Sequence, residues 1–212
     1  MNLTPETLNL LLDNLVEHGW YALADAIPMQ MCAELLSDIE RYDEAGALKP
    51  AGIGRGDEHQ IAKEIRRDQI KWLDGSSEVQ RQYLQYMAQL QYELNKALFL
   101  GLFEYECHYA LYQQGDFYKK HLDSFKGQAN RMVSSVLYLN PDWQPDWGGE
   151  LVIYNEEDNA EIARVLPEMG KLVVFMSEQM PHEVLPTLQP RASVTGWFRC
   201  NNSTAMLADP AR

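Results

Sequence analysis

The 212-residue sequence lacks three features that mark membrane, secreted or nucleic-acid-binding proteins. No apolar run approaches the ~20 residues that a helix needs to cross a bilayer. The first residues, MNLTPETLNLLLDNL, have no basic segment before their apolar stretch, which is untypical of a secretion signal. The formal net charge is −13, whereas binding to nucleic acid needs a basic face. We therefore expect no membrane and no nucleic acid among the partners.

Cysteine is also scarce. Cys32, Cys107 and Cys200 are far apart in the sequence and show no metal-finger spacing. Together with the lack of a signal peptide, this predicts reduced thiols and a cytoplasmic location. Hydrophobic residues, in contrast, make up 46% of the chain. The composition and the length predict a substantial core and a single domain over 1–212.

The first hundred residues have the periodicity of helices. Over Thr4–His18, leucines recur at helical spacing between a Thr-Pro start signal and Gly19. A second helix is predicted from Pro28, and a long one over Ser77–Phe99. The segment at about 43–68 contains four glycines and lacks the phosphate-loop pattern. A segment of this length is predicted to be a functional or mobile loop.

From Phe103 onward the pattern changes to short strands separated by polar turns. The predicted strands are YECHYALYQQ, FYKKHLDSF, RMVSSVLYLN, GELVIYN, KLVVFMS, HEVLPT and ASVTGWFRC. Helices ahead of many short strands predict an α+β fold, with 1–100 as helical support and a jelly roll or barrel over 101–200. Residues 201–212 are predicted to form a tail.

The segment HLDSF, at 121–125, contains a candidate metal site. His121 and Asp123 are two residues apart, and such residues on a strand point to the same face. Among the other histidines, His182 is the best candidate for a third ligand, because it follows the strand KLVVFMS after a short loop. His108, within YECHYALY, is predicted to be a core or surface residue. Two histidines and one carboxylate suit the facial triad of non-haem Fe(II) oxygenases, and the same set also suits zinc.

Arg191 follows the third candidate ligand by nine positions and begins the strand RASVTGWFRC. An arginine that projects from a strand into a barrel can hold a carboxylate by two parallel hydrogen bonds. A surface arginine at a strand start is the alternative. The ensemble HxD…H…R at this spacing is more specific than either motif alone.

These motifs resemble the Fe(II)- and 2-oxoglutarate-dependent dioxygenases. The closer resemblance is to the prolyl 4-hydroxylases that include the animal oxygen-sensing HIF prolyl hydroxylases and their bacterial relatives. It extends from about Gly19 to Cys200 and is carried by IRRDQIKWLDG, YQQGDFYKKHLDSF, RMVSSVLYLNPDW, GGELVIY and MPHEVLPTLQPRASVTGWF. The resemblance implies a double-stranded β-helix (jelly-roll) core, with N-terminal and supporting helices packed on one sheet.

The same resemblance implies roles for individual residues. The iron ligands are implied to be His121, Asp123 and His182. Arg191 and Tyr138 are implied to hold the far carboxylate of 2-oxoglutarate. The other implied positions lie near the cosubstrate, line the pocket or its mouth, or end a lid loop over the substrate: Tyr112, Arg131, Trp197, Gly148–Gly149, Arg66 and Asp68.

The activity implied by the resemblance couples oxidative decarboxylation of 2-oxoglutarate to succinate with hydroxylation of a proline in a protein. The implied requirements are Fe(II), 2-oxoglutarate and O₂, with ascorbate as a reductant in many family members. A translation elongation factor is a known kind of substrate among the bacterial relatives and is the first candidate partner. Two alternatives stay open here. One is the same chemistry on a small molecule or another residue type, and the other is a β-helix protein that binds a metal or a carboxylate without turnover.

Overall fold

A computed structural model describes residues 3–52, 62–124, 130–157 and 159–201. The helices are α1 (Pro5–His18), α2 (Met29–Glu44) and α3 (Glu78–Leu98). The strands are β1 (Trp20–Leu23), β2 (Lys49–Pro50), β3 (Gln69–Trp72), β4 (Leu102–Tyr112), β5 (Tyr118–His121), β6 (Arg131–Tyr138), β7 (Leu151–Tyr154), β8 (Glu161–Val165), β9 (Leu172–Met176), β10 (His182–Val184) and β11 (Arg191–Cys200). In the described part of the chain, no helix is both long and apolar enough to cross a membrane.

The ends of two helices follow signals that are visible in the sequence. Thr4 caps α1, because its side-chain oxygen accepts a hydrogen bond from the Thr7 amide. Gly19 ends α1 in the left-handed conformation, with a φ of 77°. Ser77 caps α3 in the same way, by accepting a hydrogen bond from the Gln80 amide. The predicted first and third helices are thereby confirmed.

The strands form two antiparallel sheets. The major sheet has seven strands in the order β1-β9-β6-β11-β4-β3-β2, and the minor sheet has four in the order β5-β10-β7-β8. In the major sheet, β11 pairs with β4 on one side and with β6 on the other. Three helices with two antiparallel sheets confirm the mixed α and β composition that the sequence predicts.

Two hydrophobic clusters hold the layers together. The first joins the three helices to one face of the major sheet and includes Leu11, Leu35, Leu90, Val194 and Phe198. The second joins the other face to the minor sheet and includes Tyr138, Phe175, Ile153 and Val184. Because neighbouring residues of a strand point to opposite faces, β6 contributes to both clusters, with Leu137 in the first and Tyr138 in the second. The prediction that the helices pack on one sheet is confirmed.

One predicted boundary and one missed strand differ from the structure. Helix α2 continues to Glu44 because no helix breaker precedes Gly46, so the loop predicted to start at residue 43 starts later. Within that loop, β2 pairs with β3, while residues 53–61 lie outside the described residues. The strand β8 was missed because EIARV is mostly exposed and has little apolar alternation. The predicted tail lies, from residue 202, outside the described residues.

The three cysteines form no disulfide. Cys32 and Cys107 are buried and Cys200 is partly buried, and no disulfide joins any two of them. Burial raises the pKa of the Cys32 thiol to about 11, so this group stays protonated near neutral pH. That the thiols are reduced in the cell stays a prediction.

Candidate active site

A cavity of about 250 Å³ lies between the two sheets. The minor sheet contributes His121 and His182 to its wall. The major sheet contributes Tyr112, Arg191 and Trp197. The cavity therefore has a wall rich in metal-binding groups and a facing wall with a cation and aromatic rings.

The three candidate metal ligands lie together at this cavity. One ligand atom from each of His121, Asp123 and His182 lies within 4.8 Å of the others. Asp123 Oδ1 is 3.5 Å from His121 Nε2, and Asp123 Oδ2 is 3.8 Å from His182 Nε2. The two histidines face each other as partners in the antiparallel pairing of β5 with β10. Strand pairing thus brings side by side two residues that are far apart in the sequence.

Asp123 lies at the site, but it is not part of the strand on which the sequence analysis placed it. The strand β5 ends at His121, and Asp123 lies in a bend beyond it. The prediction that both side chains share one strand face is therefore wrong. The carboxylate is instead held by a hydrogen bond from Ser134 Oγ to Asp123 Oδ2, at 2.7 Å.

Backbone carbonyls orient the two histidine rings. Nδ1 of His121 is 2.8 Å from the Lys119 oxygen, and Nδ1 of His182 is 2.9 Å from the Met180 oxygen. A carbonyl oxygen only accepts hydrogen bonds, so each Nδ1 carries the proton and each Nε2 keeps its lone pair. Both Nε2 atoms lie near the Asp123 carboxylate. This is the tautomer that can bind a metal through Nε2.

The protonation states also suit a metal. Burial, together with the nearby charge of His121, lowers the pKa of His182 to about 4, so its imidazole is neutral near pH 7. Burial by itself raises the pKa of Asp123, but interactions with the two histidines and Ser134 hold it well below its ordinary value. The site thus offers the imidazole nitrogens of His121 and His182 and one carboxylate. This donor set fits Fe(II) with open coordination positions, and it also fits zinc.

Arg191 is a buried cation in the facing wall, with 1% of its surface exposed. Its Nε donates a hydrogen bond to the Gly149 oxygen at 2.8 Å, and its guanidinium lies 4.9 Å from the ring centroid of Tyr112. No acidic side chain of the described residues forms an ion pair with it. The alternative of a surface arginine is wrong. A buried guanidinium without a counter-ion favours an anionic ligand in the cavity.

The hydroxyl of Tyr138 lies in the same region. The Arg191 guanidinium is 5.0 Å from the Tyr138 ring centroid. The hydroxyl is buried and has no hydrogen-bond partner among the described residues. Burial raises the pKa of Tyr138 to about 12, so the group stays a neutral donor. A buried donor beside a buried cation can receive one carboxylate.

Gly149 allows the backbone to approach Arg191. Its φ is +70°, which side-chain-bearing residues rarely adopt. A Cβ at this position would lie 3.1 Å from Arg191 Cδ and 3.1 Å from Thr187 Cβ. The two glycines of the predicted pair are not among the residues that line the cavity, and Gly149 affects it through its hydrogen bond with Arg191.

Arg66 and Asp68, predicted as a charged pair at the end of the loop, form an ion pair. Arg66 Nε donates to Asp68 Oδ1 at 2.7 Å. The Arg66 guanidinium lies 4.3 Å from the ring centroid of Tyr118, which stacks on the ring of His121 with centroids 3.6 Å apart. The pair thus packs the segment before β3 against the metal side of the cavity. Arg66 lines the cavity, whereas Asp68 is buried behind it.

Arg131 and Trp197 lie side by side in the wall of the cavity. Two nitrogens of Arg131 donate to Glu106 Oε1, at 2.9 and 2.8 Å. The Arg131 guanidinium lies 3.5 Å from the ring centroid of Trp197. The indole Nε1 of Trp197 is buried without a hydrogen-bond partner among the described residues. The structure therefore places both predicted residues at the cavity.

The sequence missed two further residues of this wall. Trp72 and His108 line the cavity, and their rings meet edge to face with centroids 5.1 Å apart. His108 was predicted to be a core or a surface residue. It is buried, and its side chain faces the cavity. The two residues are partners in the β3–β4 pairing. Only that pairing, which no local pattern displays, brings them together.

Comparisons with known proteins agree with this geometry. The family described as the 2OG-Fe(II) oxygenase superfamily matches residues 107–199. A Pseudomonas putida prolyl-4-hydroxylase has a similar structure, with a TM-score of 0.83 and 45% sequence identity, covering 91% of this chain and 98% of that chain. A Trichoplax adhaerens prolyl hydroxylase, solved in complex with a hypoxia inducible factor oxygen degradation domain peptide fragment, has a TM-score of 0.82 and 25% identity, covering 92% and 89%.

Among the curated relatives, Egl nine homolog 1 from Homo sapiens is 25% identical over 191 residues. The match covers 86% of this chain and 44% of that protein, so the chain spans less than half the length of this relative. The Pseudomonas putida enzyme, in contrast, is matched at 45% identity over almost its whole length. The chain therefore belongs to the 2OG-Fe(II) oxygenase superfamily, among its prolyl hydroxylase-like members.

Proposed function

We propose that the protein is an Fe(II)- and 2-oxoglutarate-dependent prolyl 4-hydroxylase that acts on a protein substrate. The observation that carries the proposal is the pairing, across one cavity, of the His121–Asp123–His182 cluster with the buried groups of Arg191 and Tyr138. The similarity to a solved prolyl-4-hydroxylase supports the choice of reaction. Zinc fits the ligands as well, but it gives no reason for an unpaired buried cation opposite them.

In this proposal the residues of the chain bind and orient the reactants. The three ligands would hold iron on the minor-sheet side, and Arg191 and Tyr138 would receive the far carboxylate of 2-oxoglutarate on the major-sheet side. When bound, iron and 2-oxoglutarate supply the oxidising chemistry, in which decarboxylation to succinate accompanies hydroxylation. Ionic and hydrogen-bonded contacts at both ends would fix one orientation of the cosubstrate.

The aromatic part of the cavity would receive the proline. Trp72, Trp197 and the stem of Arg131 form an apolar wall that suits a pyrrolidine ring and excludes water. The complex of the Trichoplax relative with a peptide supports a protein segment as the substrate class. Within that class we keep a translation elongation factor as the candidate, on the resemblance to bacterial members of the family.

The proposal extends to the architecture. Two facing antiparallel sheets, with helices on one of them, support a double-stranded β-helix (jelly-roll) core. One hydrophobic cluster contains residues from Leu11 to Phe198, which supports a single domain over 1–212. The cytoplasmic location stays a prediction, and fractionation of the source cells would test it.

The decisive experiment searches for the substrate. Lysate from source cells that lack this protein is incubated with purified enzyme, Fe(II), 2-oxoglutarate and ascorbate, with His182→Ala as the control. We expect succinate and a prolyl peptide that gains one oxygen only with the wild-type enzyme. Turnover of 2-oxoglutarate without any modified peptide would favour a small-molecule substrate. Absence of turnover in protein that has bound iron would favour a binding protein without activity.

A further inference from the structure

We propose that Ser134, supported by Ser177, is a positioning residue that orients the Asp123 carboxylate for metal binding. The inference rests on the metal site of the proposed function. It concerns the hydrogen bond that the Asp123 carboxylate accepts from the opposite sheet. Ser134 lies on β6 of the major sheet and Ser177 directly follows β9 of the same sheet, whereas both histidine ligands lie on the minor sheet.

A short row of buried hydrogen bonds ends on the carboxylate. Ser134 Oγ donates to Asp123 Oδ2 at 2.7 Å, and Ser177 Oγ is 2.8 Å from Ser134 Oγ. Both serines are fully buried. Each hydroxyl carries one proton, so Ser177 must donate to Ser134 while Ser134 donates to Asp123. Hydrogen bonds that point the same way along a row strengthen one another.

Asp123 needs this support more than the histidine ligands do. His121 and His182 are held by strand pairing and by backbone carbonyls at their Nδ1 atoms. Asp123 lies in a bend outside the strands, where no sheet pairing sets the direction of its side chain. Ser134, in contrast, lies in the interior of β6, which is paired on both sides. The fixed position of β6 thus determines the orientation of Asp123, which lies on an irregular segment.

The hydrogen bond also distinguishes the two carboxylate oxygens. Oδ2 accepts the hydrogen bond from Ser134 and lies 3.8 Å from His182 Nε2, whereas Oδ1 accepts none from Ser134 and lies 3.5 Å from His121 Nε2, so the hydrogen bond would favour metal binding through one oxygen. Binding through one oxygen leaves more coordination positions open. A carboxylate that turned freely could bind through both oxygens and take a position that a cosubstrate needs.

Ser177 connects the environment of Asp123 with that of His182. It begins the turn that follows β9, which is closed by a hydrogen bond from the Met180 amide to the Met176 oxygen, and the Ser177 amide donates to the Met132 oxygen at 3.1 Å. The same turn carries Met180, whose carbonyl oxygen binds Nδ1 of His182. One turn therefore orients two of the three ligands. This gives the buried Ser177 a role in the site, although it touches no ligand directly.

The chain offers a matched control one residue away. Ser135 is as fully buried as Ser134 but lies on the opposite face of β6, where its hydroxyl is 2.9 Å from that of Tyr105. Replacing either serine by alanine removes one buried hydroxyl from the same strand. Only the Ser134 variant removes a contact to a metal ligand.

The test measures metal binding by the metal-free protein, with Mn(II) titrated under electron paramagnetic resonance. Loss of such supporting contacts typically weakens metal affinity about 10- to 100-fold, and we expect this for Ser134→Ala. We expect a smaller loss for Ser177→Ala and wild-type affinity for Ser135→Ala. The visible spectrum of bound Co(II) should change in Ser134→Ala, and Ser134→Thr, which keeps the hydroxyl, should restore it. Wild-type Mn(II) affinity and an unchanged Co(II) spectrum in Ser134→Ala would overturn the proposal.

Two further measurements keep the result interpretable. Circular dichroism of the metal-free variants shows whether each is folded. If Ser134→Ala does not fold, Ser177→Ala decides, and unaltered metal binding there would refute the row of hydrogen bonds. Because none of these readouts involves hydroxylation, a protein that depends on Ser134 for metal but modifies no proline would refute the proposed function alone.

Discussion

Arg191 and Tyr138 present groups to the cavity that the described residues do not satisfy. The guanidinium has no carboxylate partner there, and the hydroxyl has no hydrogen-bond partner. A buried polar group that lacks a partner costs about 1–3 kcal/mol, and a charged one costs more. The folded protein carries this cost without a ligand, and a bound carboxylate removes it. A carboxylate is therefore favoured at this end of the cavity, because it supplies the negative charge and the hydrogen-bond acceptors that Arg191 and Tyr138 lack.

Replacing Arg191 by alanine should separate cosubstrate binding from metal binding. Loss of a charged hydrogen-bonding partner is worth about 1.5–3 kcal/mol, so the dissociation constant for 2-oxoglutarate should rise about 10- to 100-fold. Mn(II) affinity should stay within a few-fold, because Arg191 contacts none of the three ligands. Calorimetric titration checks both, with Arg164→Ala on the exposed strand β8 as the control. Lost metal affinity with unchanged 2-oxoglutarate affinity would contradict the assigned role.

Removing the hydroxyl of Tyr138 should weaken the binding of 2-oxoglutarate without lowering the stability of the fold. In Tyr138→Phe the buried group without a partner disappears, so the midpoint of thermal unfolding should stay constant or rise. The affinity for 2-oxoglutarate should fall about 3- to 10-fold, since one neutral hydrogen bond is worth about 1 kcal/mol. Calorimetry of unfolding and of ligand binding measures the two effects. A destabilised variant with normal affinity would show that the hydroxyl supports the fold instead.

Motif spacing was enough to predict the three candidate metal ligands and Arg191, but not the residues that position them or complete the cavity wall. The three ligands and Arg191 stand out because their chemistry and their distance along the chain both match a known arrangement. Ser134, Ser177 and Trp72 are common residue types in ordinary strands and turns. Their roles arise from pairing between β6, β9 and β3 and their neighbours, and tertiary contacts of this kind leave no local pattern in the sequence.

Among the elements, α2 and α3 are joined to β4 through one buried carboxylate. Asp38 Oδ2 accepts hydrogen bonds from Ser77 Oγ at 3.0 Å, Gln80 Nε2 at 3.0 Å and Tyr109 Oη at 2.9 Å. Arg41 binds its other oxygen. The four donors come from α2, the start of α3 and β4. The helical layer is therefore fastened to the major sheet by a polar network as well as by apolar packing.

Asp38→Ala should destabilise this layer. The substitution leaves several buried donors without an acceptor, and we expect the free energy of unfolding to fall by about 3 kcal/mol. Asp38→Asn, which keeps the size and one acceptor, should lose less. Urea unfolding measures both, beside Asp13→Ala on the exposed face of α1. A loss below about 1 kcal/mol in Asp38→Ala would mean that apolar packing alone holds the helices.

The sequence predicted elements where local signals were strong. The ends of α1 and α3 follow capping residues, whose hydrogen bonds are local and visible in the sequence. The strand β8 was missed because it lies at the edge of the minor sheet, where exposed residues show no apolar alternation. The bend at Asp123 was missed because a strand pattern does not reveal where the pairing ends.

For the whole molecule, a buried histidine predicts sensitivity to acid. Burial and the nearby Arg66 lower the pKa of His108 to about 4, below its ordinary value near 6.5. Between these two values the unfolded chain binds more protons than the folded one, so stability is intact above about pH 6.5 and falls as the pH drops toward 4. The metal-free protein should therefore lose about 2 kcal/mol at about pH 5 through this residue.

Urea unfolding of the wild type and of His108→Leu at about pH 8 and about pH 5 measures this contribution. The loss between the two pH values should be smaller in His108→Leu by roughly the same 2 kcal/mol, whatever the other titrating groups contribute to both proteins. An equal loss in the two proteins would show that His108 does not cause the acid sensitivity.

The two walls of the cavity belong to different sheets. The candidate metal ligands lie on or beside the minor sheet, whereas Arg191, Tyr138 and Tyr112 lie on the major sheet. A dicarboxylate that reaches from the metal to the arginine would act as a clasp between the layers. A molecule whose layers had parted would lose the Ser134 contact that orients Asp123 as well as the facing Arg191, so binding of the ion and of the cosubstrate would weaken together. Both binding events therefore depend on intact packing between the two sheets.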